Sequence, residues 1–593
     1  MCGIVGYTGK RQAQPILLNG LQKLEYRGYD SCGIALNGSG ITIYKDAVRV
    51  QELARMVPLH ESNIGIGHTR WATHGAPNKI NAHPHRDCSG RIAVVHNGVI
   101  TNYLHLKQRL ISEGHTFCSE TDTEVIAHLV ERNVFSGLAP EKAVELAVSE
   151  IQGSYAIIVM IDGTGCLIAA RKDSPLVIGL GNKENIIASD VTGVLDYTSR
   201  VIYLEDGDIA VVTGDRVSVT HEGMTVERKV HHIPWTAEQA QKGGFEHFML
   251  KEIYEQPDVV RDMLAEYLSS AGPDIQLPLS KAKEVLFLAC GTSFHAALLG
   301  KYLFEQMVGI PSRAELASEF NYFNRYPEVP LVIGISQSGE TADTLKALKK
   351  LKENGSRVQV ITNVVNSSAS RLADVTLYTR AGPEISVAAT KSFTAQLLAL
   401  YWMVLSCSGM DIKEKEHIIK GLRVIPARLR EVLDLDEVIA EYAGRIAGYD
   451  NVFFVGRGIN YPVAMEGALK LKEVSYIHSE AYAGGELKHG PFALLCDRTP
   501  VVALVVPDIS YEAMLTNIKE IKARNSPVLA LVPAGDDLVP QMADMVIRVP
   551  EIEPIFSPFV NTVILQLLAY YTAKKRGCPI DFPRNLAKSV TVE

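Results

Sequence analysis

Val285-Leu-Phe-Leu-Ala-Cys-Gly-Thr-Ser293 and Asn451-Val-Phe-Phe-Val-Gly-Arg-Gly-Ile459 share one pattern, an apolar run closed by a glycine-bearing turn. An unbroken apolar run of this length reads as a strand buried on both faces, and glycine after it marks the turn into a helix. Each run is followed by a second strand and helix. The first copy has Val332-Ile-Gly-Ile-Ser336 and a helix to Gly355; the second has Val501-Val-Ala-Leu-Val-Val506 and a helix to about Arg524. Corresponding strands lie about 170 residues apart, which predicts a duplicated α/β domain with parallel sheets over residues 281–420 and 440–575. Sheets of this kind bind ligands at the carboxyl ends of their strands.

Upstream the style differs. Residues 2–235 alternate short apolar runs with turns, at 41–44, 92–95, 156–161, 167–170, 186–188 and 209–212, with helical periods only at 15–24, 123–132 and 141–150. Many strands and few helices predict a layered α+β domain with mainly antiparallel sheet. Residues 236–280 read as a linker and connecting helix: polar residues end in Lys242-Gly243-Gly244, then a helical pattern runs over 245–268 with a break near Pro257. Residues 576–593 form a C-terminal tail.

Bulk properties exclude several classes. With 593 residues the chain holds several cores, and 47% apolar with 21% charged residues is ordinary for a soluble globular enzyme. The net charge is −8 and no basic stripe occurs, so no nucleic-acid partner is expected. Nine cysteines are scattered, odd in number and without Cys-x-x-Cys, which indicates neither a disulfide framework nor a zinc site. A reducing, cytoplasmic setting follows. The first thirty residues lack a signal-peptide apolar region, and the apolar stretch 397–407 is too short to span a bilayer, so no membrane association is expected. No metal and no organic cofactor are implied.

The start, Met1-Cys2-Gly3-Ile4-Val5-Gly6, places a cysteine one removable methionine from the terminus. With Met1 removed, Cys2 carries a thiol of pKa about 8.5 beside an α-amine of about 7.7–8.0, which can act as its base. Further on, His68-Thr-Arg-Trp-Ala-Thr-His-Gly75, His96-Asn97-Gly98 and Ser119-Glu-Thr-Asp-Thr-Glu124 supply the parts for hydrolysing a side-chain amide. Arg70 can clamp a carboxylate, Asp122 can hold an α-ammonium, and the Asn97 amide with the Gly98 N–H can form an oxyanion hole. Each also has an ordinary reading: Asn-Gly is the commonest hairpin-turn dipeptide, and the 119–124 segment is a helix N-cap signature.

Together with Leu24-Glu-Tyr-Arg-Gly-Tyr-Asp-Ser31, this set resembles the class II glutamine amidotransferase domain of the glucosamine-6-phosphate synthase family. The resemblance implies the four-layer αββα sandwich of N-terminal-nucleophile hydrolases. It implies that Cys2 attacks the glutamine amide, that Asn97 and Gly98 form the oxyanion hole, and that Arg70 and Asp122 hold the glutamine α-groups. Thr73 and His74 line the same pocket, and Trp71 gates the passage of ammonia.

In the second half, Ser336-Gln-Ser-Gly-Glu-Thr341 lies between a strand and a helix, where hydroxyls and N–H groups can cradle a phosphate. The matching place in the second copy, Val506-Pro-Asp508-Ile-Ser510, carries an acid, so only the first copy is expected to bind one. Glu466, Lys470 and Glu473 share one helical face, either as a salt-bridged surface or as carboxylates poised for proton transfer. Gly484-Gly-Glu-Leu-Lys-His489 supplies a histidine able to open a sugar ring, and the tail carries Lys588.

These motifs also resemble the same family, through its tandem sugar isomerase domains and tail, so the likeness covers essentially the whole chain. By that resemblance phosphate lies on Ser336, Gln337, Ser338 and Thr341, with Ser293, Val387 and Ala587 nearby. Glu473 moves a proton between C1 and C2 with help from Lys470. His489 of a partner subunit opens the ring, which requires at least a dimer, and Lys588 is the Schiff-base candidate. The implied substrates are L-glutamine and D-fructose 6-phosphate. Cys32 and Ala389 depart from the family's alanine and serine at non-catalytic positions. Two rival readings compete: an amidotransferase acting on phosphoribosyl pyrophosphate would need an acidic diphosphate-ribose motif, which the sequence lacks, and a sugar-phosphate-sensing regulator would not need Cys2, Arg70, Asn97, Asp122 and Lys588 together.

Overall fold

The computed structural model describes residues 2–71, 74–233, 242–269, 273, 284–322, 331–407 and 411–591. The chain divides into two compact units, residues 1–240 with 589–593, and residues 241–588.

In the first unit two antiparallel sheets face each other. One has eight strands in the order Val230–His232, Arg200–Tyr203, Val177–Leu180, Glu184–Ala188, Gly3–Gly9, Ile64–Arg70, Ser31–Asn37, Ile41–Asp46. The other has seven, in the order Met224–Val226, Val217–His221, Asp208–Val212, Leu167–Lys172, Gly153–Ile161, Ile92–Ile100, His85–Arg86. Period-2 alternation sends Ile4, Ile66 and Ile187 of the first sheet against Val95, Ile158 and Ala169 of the second, all out of water. Each of the buried isoleucine and valine side chains contributes about 1.5–3 kcal/mol by burial. Helix Ala13–Leu24 covers the outside of the eight-stranded sheet, and helices Glu124–Phe135 and Pro140–Ser149 cover the other through Val94, Ile157 and Ile168. The result is the αββα sandwich.

Strand Ile92–Ile100 runs straight through Asn97-Gly98, paired with Ala156 and Tyr155, so this dipeptide is no hairpin turn. Gly98 sits at φ +135°, and a Cβ there would stand 2.1 Å from the Ser154 carbonyl oxygen. Only glycine fits a backbone so twisted and so closely approached.

The second unit holds two five-stranded parallel sheets. Their orders are Ser312–Leu316, Val285–Ala289, Leu331–Ser336, Arg357–Thr362, Val375–Tyr378, and His478–Ala483, Asn451–Gly456, Val501–Leu504, Val528–Pro533, Met545–Val549. Both read 2-1-3-4-5 in local chain order, as expected of one domain copied twice. One apolar core joins them through helices Lys391–Cys407, Asn460–Ser475 and Ser557–Lys575. The stretch Pro554–Lys575 is the one segment among the described residues long and apolar enough to cross a membrane, and 89% of its apolar window is buried inside the fold. Helices Phe248–Tyr254 and Gln256–Tyr267 break at Glu255, with Pro257 in the first turn of the second.

Candidate active sites

The antiparallel register Gly3↔Thr69 brings Cys2 to the end of the strand carrying Arg70. The Trp71 N–H donates to Cys2 Sγ at 3.2 Å. Burial pushes the thiol up; the Trp71 bond and the Arg70 charge oppose this, and the Asp122 carboxylate adds to it. Buried Asp122 accepts from the Ile100 N–H at 2.8 Å. Cys2, Arg70 and Asp122 are thus within electrostatic reach of one another.

Asn97 comes from the facing sheet. Its Nδ2 donates to the Cys2 carbonyl at 2.8 Å, while its Oδ1 lies 3.2 Å from His68 Nε2. The same His68 nitrogen lies 3.0 Å from the His96 carbonyl, so it must carry the proton and donate to both oxygens. Burial drives the His68 pKa down to about 3, keeping the ring neutral. His68 therefore holds Asn97 with its amide nitrogen toward Cys2, on the Cys2 carbonyl. Sequence reasoning quoted His68 within a motif and gave it no role; its burial and the facing Asn97 are tertiary facts.

Arg70 is buried, and its guanidinium donates to the carbonyls of His74, Gly75 (3.0 Å) and Ala76 (3.4 Å). To receive a carboxylate the fork must exchange these loop carbonyls for it. The Trp71 ring meets Tyr29 edge-on at 5.9 Å, and the His74 ring meets Tyr103 at 5.4 Å. Thr73 and Met1 lie outside the described residues. Cys32 is buried, its thiol pushed up to about 12 by burial, and it donates to the Val48 carbonyl at 3.1 Å.

In the second unit, the Ser336 and Thr341 hydroxyls lie 2.9 Å apart at the end of strand Leu331–Ser336, and the Gly339 N–H donates to Ser336 Oγ at 3.1 Å. The Glu340 N–H donates to Ser338 Oγ at 3.2 Å. Gly339 has φ +65°, and a Cβ would stand 2.1 Å from Ser367 Oγ, so only glycine fits this tight loop. Helix Ala342–Glu353 follows. In the second copy Asp508 accepts from the Ser510 N–H at 2.8 Å, filling with a carboxylate the place of the anion cradle.

The charged face of helix Asn460–Ser475 is buried, not solvated. Lys470 Nζ lies 2.6 Å from Glu473 and 3.4 Å from Glu466, with Lys470 and Glu466 each 1% exposed. Burial alone would depress Lys470, but Glu466 and Glu473 outweigh it and raise its pKa. Glu466 accepts from Thr292 at 3.0 Å and pairs with His295 Nδ1 at 2.7 Å, and Lys470 also reaches Thr292 at 3.1 Å. Thr292 and His295 belong to helix Gly291–Leu303 of the first copy, so both copies build this cluster. Ser293, on the same helix, accepts from Gln396 at 3.0 Å.

The tail is anchored. The Asp581 carboxylate accepts from the Phe248 and Met249 N–H groups, each at 3.0 Å, and its carbonyl accepts from the Val387 N–H at 3.0 Å. The Arg584 N–H donates to the Tyr476 hydroxyl at 2.8 Å. Ala587 is half-buried, and Lys588 forms an ion pair with buried Glu384. Glu384 also accepts from Ser392 Oγ at 2.7 Å; burial would raise its pKa, but Lys588 and these donors bring it down to about 2. Glu252 sits beside this pair, and burial together with the Glu384 charge pushes its carboxyl up to about 8. His489 is exposed on the turn Gly484–His489 and, among the described residues, makes no hydrogen bond or ion pair with Lys470 or Glu473. Glu384, Glu252, Thr292 and His295 were missed from sequence, because no local pattern marks a buried carboxylate's distant partner.

A two-sheet sandwich with Cys2 at a strand end and the Asn97 amide on its carbonyl, followed by paired parallel α/β domains with a hydroxyl loop, is the architecture of a glutamine amidotransferase fused to sugar-isomerase-type domains. Family models agree: residues 68–196 match a glutamine amidotransferase domain, and residues 278–406 and 445–575 each match a SIS domain. The chain is 48% identical, over all of both chains, to the glutamine--fructose-6-phosphate aminotransferase [isomerizing] of Methanosarcina mazei. It is 48% identical to that of Caldanaerobacter subterraneus subsp. tengcongensis, again over both full lengths. The C-terminal domain of the Francisella tularensis glucosamine-fructose-6-phosphate aminotransferase matches with TM-score 0.55 and 38% identity, covering 58% of this chain and all of that one. The chain belongs to the isomerizing glutamine--fructose-6-phosphate aminotransferase family.

Proposed function

We propose that the enzyme makes D-glucosamine 6-phosphate and L-glutamate from D-fructose 6-phosphate and L-glutamine. The observation that carries this is that one chain holds Cys2 beside an amide oriented by His68, and Lys588 ion-paired with Glu384 in the unit bearing the Ser336–Thr341 loop. After removal of Met1, Cys2 attacks the glutamine amide carbon as thiolate, its proton passing to its own α-amine. Asn97 Nδ2 and the Gly98 N–H receive the developing oxyanion. The α-ammonium returns that proton to the amide nitrogen as the tetrahedral intermediate collapses, so ammonia leaves and a thioester remains that water hydrolyses to glutamate. Arg70 and Asp122 hold the α-carboxylate and α-ammonium, and His74 and Thr73 line the pocket.

Ammonia reaches the sugar by an enclosed path gated by Trp71, since in bulk water it would be protonated and lost as a nucleophile. Fructose 6-phosphate binds with its phosphate on Ser336, Gln337, Ser338 and Thr341, and its chain beside Ser293, Val387 and Ala587. Lys588 gives up its proton on leaving Glu384 and, as the free amine, attacks C2; the carbonyl oxygen departs as water to give an imine, from which ammonia then displaces the lysine. Glu473 takes the C1 proton and returns it at C2, with charged Lys470 stabilising the enolamine between. An exposed His489 suits ring opening in a partner subunit, so the working unit is at least a dimer. We place it in the cytoplasm, the reducing setting that an odd number of scattered cysteines fits.

The test is to incubate the full chain with glutamine and fructose 6-phosphate and measure both products. One glucosamine 6-phosphate per glutamate is expected, with a diazo-ketone glutamine analogue labelling Cys2. Glutamate release unaffected by any sugar phosphate, with no amino sugar formed, overturns the reading.

A further inference from the structure

Four potential ligands meet on the seven-stranded side of the first unit: Cys88, His115, His128 and Glu131. None belongs to the glutamine site. His128 and Glu131 stand one turn apart on helix Glu124–Phe135, His115 lies in the segment before it, and Cys88 lies just after strand His85–Arg86. Cys88 Sγ is 3.6 Å from His128 Nδ1 and 3.9 Å from His115 Nδ1. Glu131 Oε2 is 2.8 Å from His115 Nδ1 and 3.3 Å from His128 Nδ1. All four donor atoms lie within 4.8 Å of one another. Zinc bonds of about 2.3 Å to sulfur and 2.0–2.2 Å to nitrogen and oxygen set tetrahedral donor separations of about 3.3–3.6 Å. The observed separations bracket that range.

The surrounding groups orient these atoms inward. The Ser89 N–H donates to Glu131 Oε1 at 3.0 Å, leaving Oε2 for the centre. Buried His128 Nε2 has Glu124 Oε1 3.7 Å away, so a metal on the Nδ1 lone pair would leave the Nε2 proton facing a carboxylate. The Thr116 N–H donates to Cys88 Sγ at 3.3 Å, a contact that stabilises a thiolate. His128 and Glu131 are buried while Cys88 is exposed, which gives an entry path.

We propose that Cys88, His115, His128 and Glu131 bind one zinc ion as a closed tetrahedral site, the Cys88 thiol losing its proton to solvent as the metal–sulfur bond forms. Four protein ligands leave no open position, so the site is structural. It clasps three segments far apart in sequence. It also anchors the helix whose Glu124 receives the Cys118 N–H at 2.8 Å and the Ser119 N–H at 2.6 Å, just before Asp122.

Cobalt(II) added to the chelator-stripped full chain probes this. One ion per chain is expected, with tetrahedral visible bands and a thiolate-to-cobalt charge-transfer band, both displaced by equimolar zinc. Cys2→Ala and Cys118→Ala retain the band; Cys88→Ser loses it, and Glu131→Gln weakens zinc binding by more than the roughly 10–100-fold that losing an outer-shell partner costs. Zinc also protects Cys88 of the unaltered chain from alkylation, read by peptide mass spectrometry, which needs no variant to fold. Absence of the charge-transfer band, its survival in Cys88→Ser, or undiminished alkylation of Cys88 would mean that the cluster is held by hydrogen bonds alone and overturns the proposal.

Discussion

Lys588 and Glu384 form an ion pair whose side chains are 4% and 0% exposed. The Schiff-base candidate is thus desolvated and held by a carboxylate from the segment before helix Lys391–Cys407. A buried pair is a poor source of net stability, but breaking one side of it is costly. Glu384→Gln is expected to destabilise the sugar-binding unit by about 3–5 kcal/mol, while Glu384→Gln with Lys588→Met recovers most of the loss. Thermal or urea unfolding of the three proteins checks this; a double variant no better than Glu384→Gln would show that the uncompensated charge is not the cause.

Glu384 and Glu252 give stability opposite pH dependences. Glu384, depressed to about 2, contributes stability that is present above its ordinary 4.5 and lost as pH falls toward 2. Glu252, raised to about 8, contributes stability that is present below 4.5 and lost as pH rises through 8. Glu252→Gln keeps an acceptor for the Ile385 N–H and cannot ionise. Relative to the unaltered chain, it should therefore gain stability steadily between pH 5 and 8. A pH-independent difference in melting temperature would refute the raised carboxyl.

Asn97→Ala should lower kcat for glutamine hydrolysis by roughly 10²–10³ with little change in KM, the signature of a lost oxyanion donor. His68→Phe removes the donor that holds Asn97 Oδ1, so kcat should fall by a smaller factor and His68→Gln should restore part of it. Equal losses in KM and none in kcat would make these residues glutamine-binding groups only.

Ser338→Asp places a fixed negative charge in the proposed phosphate cradle. KM for fructose 6-phosphate should rise by at least about 100-fold, since like charge and an unpaired desolvated phosphate oppose binding. Glutaminase activity without sugar should persist. An unchanged KM measured in the coupled assay would move the phosphate elsewhere.

Much of this architecture is legible in the chain alone. Strands buried on both faces must be continuously apolar, so Val285–Ala289 and Asn451–Gly456 announce parallel sheets and their duplication. The grouping of Cys2, Arg70, Asn97 and Asp122 is legible as chemistry, because few other proteins need those residue types together. Asn97-Gly98 shows the limit: Asn-Gly has the same local signal in a hairpin turn as in a strand with one glycine at positive φ, and only the pairing with Ala156 and Tyr155 decides between them. Likewise the face shared by Glu466, Lys470 and Glu473 follows from helical spacing, but its burial depends on Thr292 and His295 from the other copy. The Glu384–Lys588 pair and the meeting of Cys88 with His115, His128 and Glu131 have no sequence signature at all. Periodicity records which side of an element faces the core; which distant side chain it meets there is set by how sheets and helices close on one another.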